Sequence, residues 1–253
     1  MRNLHPNYDK AFFDYLNTGS LRSAKVIVPI LKEYLDSESV LDVGCGQGAW
    51  LSVWKKEGVI DVYGVDGDYV DAGNLLINNN EFMPIDLKND FNLDRKFNLV
   101  MSLEVAEHIP EQQATIFINN LVRHGDAILF SAATKGQGGD HHVNEQDYDY
   151  WRQIFSQHGY YPFDFIRHDL KKLKNIEPWY RYNILLYVSK SKFDDLSSLV
   201  IESRVHDNEK INDVSPYYYQ IRKAIVALLP VGLVTKIAKL KEKAIFYFRT
   251  KYR

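Results

Sequence analysis

Hydrophobic and polar positions along this chain switch repeatedly between a helical and a strand-like period. Leu21, Ala24, Val28, Leu31 and Leu35 recur at three- and four-residue steps, which predicts a helix with Ser20 as its N-cap. "SVLDVG" follows as an unbroken apolar run, the pattern of a strand covered on both faces. Trp50, Leu51, Val53 and Trp54 predict a helix entered straight from a glycine turn, and "VIDVYGVD" a second strand ending at Asp66. Strands are expected at "EFMPI", "FNLVMSL" and "DAILFSAA", with a helix from about Glu111 to Arg123 between the last two. A helix over 148–157, a strand near 161–166 and the run "NILLYV" complete the body. Strands alternating with helices predict an α/β fold: a doubly wound, mostly parallel sheet with right-handed crossovers.

Composition sets the scale. With 253 residues, 45% of them hydrophobic, the chain can bury one core and carry an appendage. The expected division is a body over 1–190 and a helical, basic extension over 191–253. A lone cysteine, Cys45, permits no internal disulfide. The first residues lack the apolar core of a secretion signal, and no run of about 18 apolar residues occurs, so a cytoplasmic location is expected.

The net charge of −2 hides an asymmetry. Residues 222–253 hold nine Lys or Arg against one acid, so this tail is +8 and the remainder −10. An acidic body argues against a nucleic-acid groove, which needs clustered cations. Leu233, Ile237, Leu240, Ala244 and Phe248 recur at helical spacing among lysines and Arg249. Such a basic amphipathic helix could lie on an anionic membrane, pair two subunits, or fold back on the body.

The chemistry begins at "DVGCGQG", where Gly44, Gly46 and Gly48 let something approach the backbone closely. Asp66 lies eighteen residues past Gly48, where a ribose-binding acid sits in nucleotide folds, and Gly67 follows it. Gly44, Gly46 and Ala49 also satisfy the loose dinucleotide fingerprint, so these residues leave NAD open. Three features favour a cationic donor. Asp42 sets a carboxylate where an amino-acid ammonium can meet it and a pyrophosphate would be repelled. Asp86 in "MPIDL" can accept from an adenine amino group while Leu87 packs on the ring. Ser102, Leu103 and Glu104 end the fourth strand at the carboxyl edge, where open α/β sheets bind ligands.

Taken together, Asp42-x-Gly44-x-Gly46-x-Gly48, Asp66, Asp86-Leu87 and Ser102-Leu103-Glu104 resemble the seven-strand class I S-adenosylmethionine-dependent methyltransferases over roughly residues 20 to 190. The resemblance implies a sheet order of 3-2-1-4-5-7-6 with the last strand antiparallel. It also implies that Gly44 to Gly48 line the methionine part of the donor, Asp66 holds the ribose hydroxyls and Asp86 meets adenine. "GQGGDHHVNEQDYDYW" is similar to a GQGG-x-HHVNEQ-x3-YW signature in a bacterial branch of these enzymes, often associated with surface-glycan or small-molecule modification.

A sulfonium methyl is already activated, so the enzyme must align an acceptor and, for a hydroxyl, remove its proton. His108, one helical turn past Glu104, is a candidate base. The glycine-rich stretch 136–145 reads as a mobile loop delivering His141, His142, Asn144 and Glu145 over the same edge. In an extended segment His141 and His142 point opposite ways, so one of them faces the acceptor. Asp140, His141, His142 and Glu145 could also hold Mg²⁺, but paired histidines suit a hard cation poorly. No metal is expected.

Trp179 and Tyr180 could stack on a sugar, and Arg181 could hold a phosphate. The expected reaction is O-methylation of a sugar, a surface-glycan precursor or another small metabolite. Three readings compete: N-methylation of a small amine or phospho-compound, an NAD-dependent oxidoreductase, and a non-catalytic cofactor-binding subunit. The oxidoreductase is disfavoured because neither Tyr148 nor Tyr150 has a lysine four residues later.

Overall fold

A computed structural model describes residues 10–35, 37–230, 232–238 and 240, with side chains from residue 18 onward. The sheet has seven strands: β1 (Ser39–Val43), β2 (Asp61–Asp66), β3 (Phe82–Pro84), β4 (Leu99–Leu103), β5 (Ala127–Ser131), β6 (Tyr160–Phe163) and β7 (Leu185–Ser189). Their order is 3-2-1-4-5-7-6, as expected. β7 runs antiparallel to both β5 and β6, and the other neighbours pair in parallel.

Helices cover both faces. Along α1 (Lys10–Tyr34) and α2 (Ala49–Lys56), Ile27, Leu31, Leu51 and Trp54 pack on Val40, Leu99 and Met101. Along α3 (Ala114–His124) and α4 (Tyr148–Gln157), Phe117, Leu121, Trp151 and Phe155 pack on Leu41, Val43 and Val100. Successive residues of β1 and β4 thus enter opposite cores, as the period of two requires. The fully buried Trp54 indole donates to Met101 Sδ at 3.0 Å, joining helix to central strand.

Four expected boundaries move. α1 already spans Lys10, so Ser20 lies mid-helix and bonds the Tyr180 hydroxyl at 3.0 Å instead of capping. The residues expected to open the helix before α3 form a 3₁₀ turn, Glu111–Gln113. β6 stops at Phe163, because Asp164 turns back to accept two bonds from buried Arg167 at 2.8 and 2.6 Å. Arg167 opens the short helix α5 (Arg167–Leu170). Asn183 closes α6 (Pro178–Asn183) and precedes β7.

Beyond β7, α7 (Ser198–Glu202) and α8 (Tyr217–Val226) lead to a helical stretch over 232–238. Lys223 of α8 is buried, ion-paired with Asp213 and donating to Thr134 Oγ1 at 3.1 Å, which fastens α8 to the end of β5. Ala244 and Phe248 of the expected amphipathic helix lie outside the described residues. No helix among the described residues is long and apolar enough to cross a membrane.

Candidate active site

A cavity of about 320 Å³ opens at the carboxyl ends of β1, β4 and β5, a volume typical of small-molecule sites. Asp42, Gly44, Gly46 and Trp50 form its floor, and Leu103, Glu104, Glu107, His108 and His142 one wall. Arg222, Val226, Val234 and Ile237 from the C-terminal segment roof it.

The glycines of the first turn serve different needs. Gly44 has φ +89°, and a Cβ there would overlap the Val105 side chain. Gly46, at φ +53°, has nothing within 4 Å of that position: its missing side chain leaves room for a ligand. Gly48 caps α2 in a left-handed conformation, pressed against Ile77, and lies off the cavity. Packing thus accounts for Gly44 and Gly48, whereas Gly46 borders open cavity space at a left-handed φ.

Two buried acids stand at this turn. Asp66, at the end of β2, accepts from the Gly46 and Gly67 amides at 2.7 Å each and from the Tyr69 hydroxyl. Burial raises its pKa, and those three hydrogen bonds oppose the rise. A Cβ at Gly67 would overlap the Tyr69 ring, so that glycine serves the tyrosine. Burial, and then the charge of Asp66, push Asp42 up to about 8, so near neutrality the free protein holds Asp42 protonated. It ionises readily only beside a cation. Cys45 lies on the same floor with its thiol pushed well up by burial.

Asp86 and Leu87 do not enter this cavity. Asp86 is exposed and accepts from the Lys88 amide at 3.1 Å, and Leu87 is buried in the core beside Val65. Ser102 is fully buried and donates to the Val43 carbonyl at 2.9 Å, tying β4 to the end of β1.

Glu104 does not begin a helix. Its φ is +59°, and its amide donates to Ser131 O at 3.0 Å, so the four-residue spacing to His108 is not a shared helical face. The Glu104 carboxylate instead accepts from Gln137 Nε2 at 2.7 Å and Asn183 Nδ2 at 3.2 Å. Burial raises its pKa against these bonds.

His108 follows on a 3₁₀ turn, Ala106–His108. Its Nδ1 lies 3.2 Å from the His141 carbonyl oxygen, which can only accept. His108 therefore carries its proton on Nδ1 and a lone pair on Nε2. Burial, and then the neighbouring His142 ring, hold its pKa down to about 3, so this imidazole is neutral.

The stretch 136–145 is tied down where the sequence reads as mobile. Glu145 accepts from the Gly136 and Gly138 amides at 2.8 and 2.7 Å and from His142 Nδ1 at 2.7 Å. A Cβ at Gly136 would overlap the Lys223 carbonyl, so that glycine lets α8 seat on the loop. The segment is not extended: Asp140 and His141 form a turn with His141 at φ +56°, and that turn leaves His142 lining the cavity and His141 exposed outside the lining. Its Nδ1 bound to the Glu145 carboxylate, His142 also presents an Nε2 lone pair. Glu145 stands behind His142, outside the cavity.

Sequence reasoning missed Glu107. It is 1% exposed, its Oε1 lies 3.9 Å from His142 Nε2, and its carbonyl oxygen accepts from the Val143 and Asn144 amides at 2.9 and 3.0 Å. "EVAEH" contains it, but the i, i+4 spacing to His108 singles out Glu104. Arg222 was missed too: it donates to the Gln137 carbonyl at 2.9 Å and lines the roof, whereas Arg181 packs over the Tyr182 ring outside the lining.

A glycine turn after the first strand, an acid ending the second, and a cavity at the carboxyl edge of a 3-2-1-4-5-7-6 sheet define an α/β enzyme that binds a nucleoside cofactor. Residues 16–174 match the family of methyltransferase domains, and the chain belongs to it. It is an S-adenosylmethionine-dependent methyltransferase. Similar folds occur in magnesium protoporphyrin IX methyltransferase from Synechocystis, solved with bound S-adenosylhomocysteine: 21% identity, TM-score 0.50, covering 70% of this chain and 88% of that one. DesVI of Streptomyces venezuelae is 15% identical with TM-score 0.53, over 73% of this chain and 99% of that one. The sugar N-methyltransferase KedS8 from Streptoalloteichus is 13% identical with TM-score 0.53, over 75% and 97%. No curated protein matches the chain.

Proposed function

We propose that this methyltransferase acts on a hydroxyl of a small, polar acceptor of the sugar or glycan-precursor class. The observation that carries the reading is His142, whose Nε2 lone pair faces the same cavity as Asp42 and Gly46 while Glu145 fixes its ring.

The floor suits S-adenosylmethionine. Gly46 leaves open space where a side chain would stand, and Asp42 is a buried carboxyl that ionises beside a cation. Gly44, Gly46 and Asp42 would hold the methionine part, with Asp66 exchanging Tyr69 for a ribose hydroxyl. The donor supplies a methyl group on a positively charged sulfur.

This chain's own residues do the rest. In the metal-free protein His142 Nε2 takes the acceptor's hydroxyl proton, and Glu145 stabilises the imidazolium that forms. His108, neutral and edge-on to His142 at 4.9 Å between ring centres, completes that wall. Residues of α8 and of the 232–238 stretch roof part of the cavity, which favours a small acceptor over a polymer. The loop motif supports membership of the bacterial branch with the GQGG-x-HHVNEQ signature, and the sugar N-methyltransferase fold is in keeping with a sugar acceptor.

The test is donor turnover, followed as S-adenosylhomocysteine release, against polyhydroxylated sugars, nucleotide sugars and small amines. Hydroxyl acceptors should turn over, and His142→Ala should lose at least about 100-fold in kcat while still binding donor. A His142→Ala protein that keeps its rate sinks the reading.

A further inference from the structure

At the inner end of the cavity Glu107, His108 and His142 each offer a ligand atom, and these atoms lie within 4.8 Å of one another. Three independent features give this cluster the makings of a metal site.

The first is the imidazole tautomers. His108 Nδ1 donates to the His141 carbonyl and His142 Nδ1 to the Glu145 carboxylate, so both Nε2 atoms carry lone pairs. Histidines that ligate metals are oriented by such outer acceptors almost without exception. The second is Glu107 Oε2, which is buried and has no hydrogen-bond partner among the described residues. A carboxylate oxygen in that position lacks a cation or a donor. The third is the backbone: Val143 and Asn144 donate to the Glu107 carbonyl, which fixes the His142 segment against the Glu107–His108 turn. The cluster is thus assembled by main-chain bonds before any ion arrives.

We propose that Glu107, His108 and His142 bind one divalent transition-metal ion, whose remaining coordination positions take the acceptor's hydroxyl. Two imidazoles with one carboxylate favour Mn²⁺, Fe²⁺, Co²⁺ or Zn²⁺ over Mg²⁺ or Ca²⁺. Ligand bonds of about 2.0–2.2 Å place neighbouring ligand atoms roughly 3 to 4 Å apart, within reach of small side-chain rotations. The set differs from the Asp140, His141, His142 and Glu145 group that the sequence offers: His141 is exposed, and Glu145 serves as the outer acceptor of His142.

The site rests on the O-methylation reading and replaces direct proton transfer to His142 when the ion is present. The coordinated hydroxyl loses its proton to water at lowered pKa. Its oxygen then forms the new C–O bond as the S–CH₃ bond breaks, the electron pair staying on sulfur.

The test uses the full chain, stripped with EDTA and without donor or acceptor. Mn²⁺ is titrated by electron paramagnetic resonance, and Co²⁺ by its visible absorption. One ion per chain is expected, with Glu107→Gln and His142→Ala each weakening Mn²⁺ affinity about 10- to 100-fold. His168→Ala, on the exposed surface of α5, should bind as the parent does, and circular dichroism verifies that each variant is folded. Absence of Mn²⁺ and Co²⁺ binding, or undiminished binding by folded His142→Ala, overturns the metal site. The readout needs no turnover, so binding without hydroxyl transfer supports the site and refutes the O-methylation reading. Transfer undiminished in EDTA overturns the ion's part in activating the hydroxyl and leaves His142 as the base.

Discussion

His142 Nδ1 and the Glu145 carboxylate lie 2.7 Å apart, and the same carboxylate gathers the amides of Gly136 and Gly138. One side chain therefore sets the shape of the loop and the direction of the imidazole. Glu145→Gln can still accept from one amide but no longer stabilises an imidazolium. Its kcat should fall about 10- to 100-fold with donor affinity nearly unchanged, measured by steady-state kinetics beside donor calorimetry. Equal losses in both quantities would show that Glu145 supports the cavity as a whole.

Two glycines of one turn should respond oppositely to the same methyl group. Gly44→Ala drives a Cβ into Val105 at φ +89° and should lower the unfolding free energy by about 2 kcal/mol or more. Gly46→Ala meets open space and bears only the left-handed backbone cost, about 1 kcal/mol, while occupying ligand volume. Urea unfolding should therefore single out Gly44→Ala, and donor calorimetry Gly46→Ala.

Asp42 couples folding and ligand binding to pH. Its folded pKa, raised from 3.8 to about 8, lies above the unfolded one, so it binds more protons folded than unfolded between these values. The stability linked to it is complete below about 3.8 and lost as pH rises toward 8. Asp42→Asn should flatten that part of the stability profile. A cationic ligand draws the pKa down, so donor binding at pH 7 should release up to about one proton. Calorimetry in buffers of different ionisation enthalpy measures this, and Asp42→Asn should abolish it.

The roof is held by an ion pair between buried Lys223 and half-buried Asp213. Lys223→Met leaves the Asp213 carboxylate, held below its usual range by Lys223, without that partner. Breaking a fully buried pair costs about 3–5 kcal/mol, and with Asp213 half-buried the loss should be smaller, about 1–3 kcal/mol, expressed as release of α8 from the body. Limited proteolysis should cut the 205–230 region several-fold faster in this variant, and acceptor KM should rise more than donor Kd. A cleavage rate equal to the parent's would show that other contacts hold α8.

The strands themselves and the position of the cavity were legible because both depend on local patterns, whereas the order 3-2-1-4-5-7-6 came only with the resemblance to class I methyltransferases. Apolar runs such as "SVLDV" and "LVMSL" belong to strands covered on two faces, and a glycine turn after the first strand marks the ligand-binding edge wherever the remainder of the sheet lies. The sequence narrowed the inward histidine to one of two, but by an extended geometry that the segment does not adopt, because His141 sits in a left-handed turn at φ +56°. Tertiary structure alone decided that His142 is that residue, and that Glu107, not Glu104, stands beside it. It also decided that Gly44 makes room for Val105 and Gly136 for the carbonyl of Lys223. Each of these depends on a contact between segments distant in sequence, and no periodicity along a single segment encodes which side chain a remote backbone will meet.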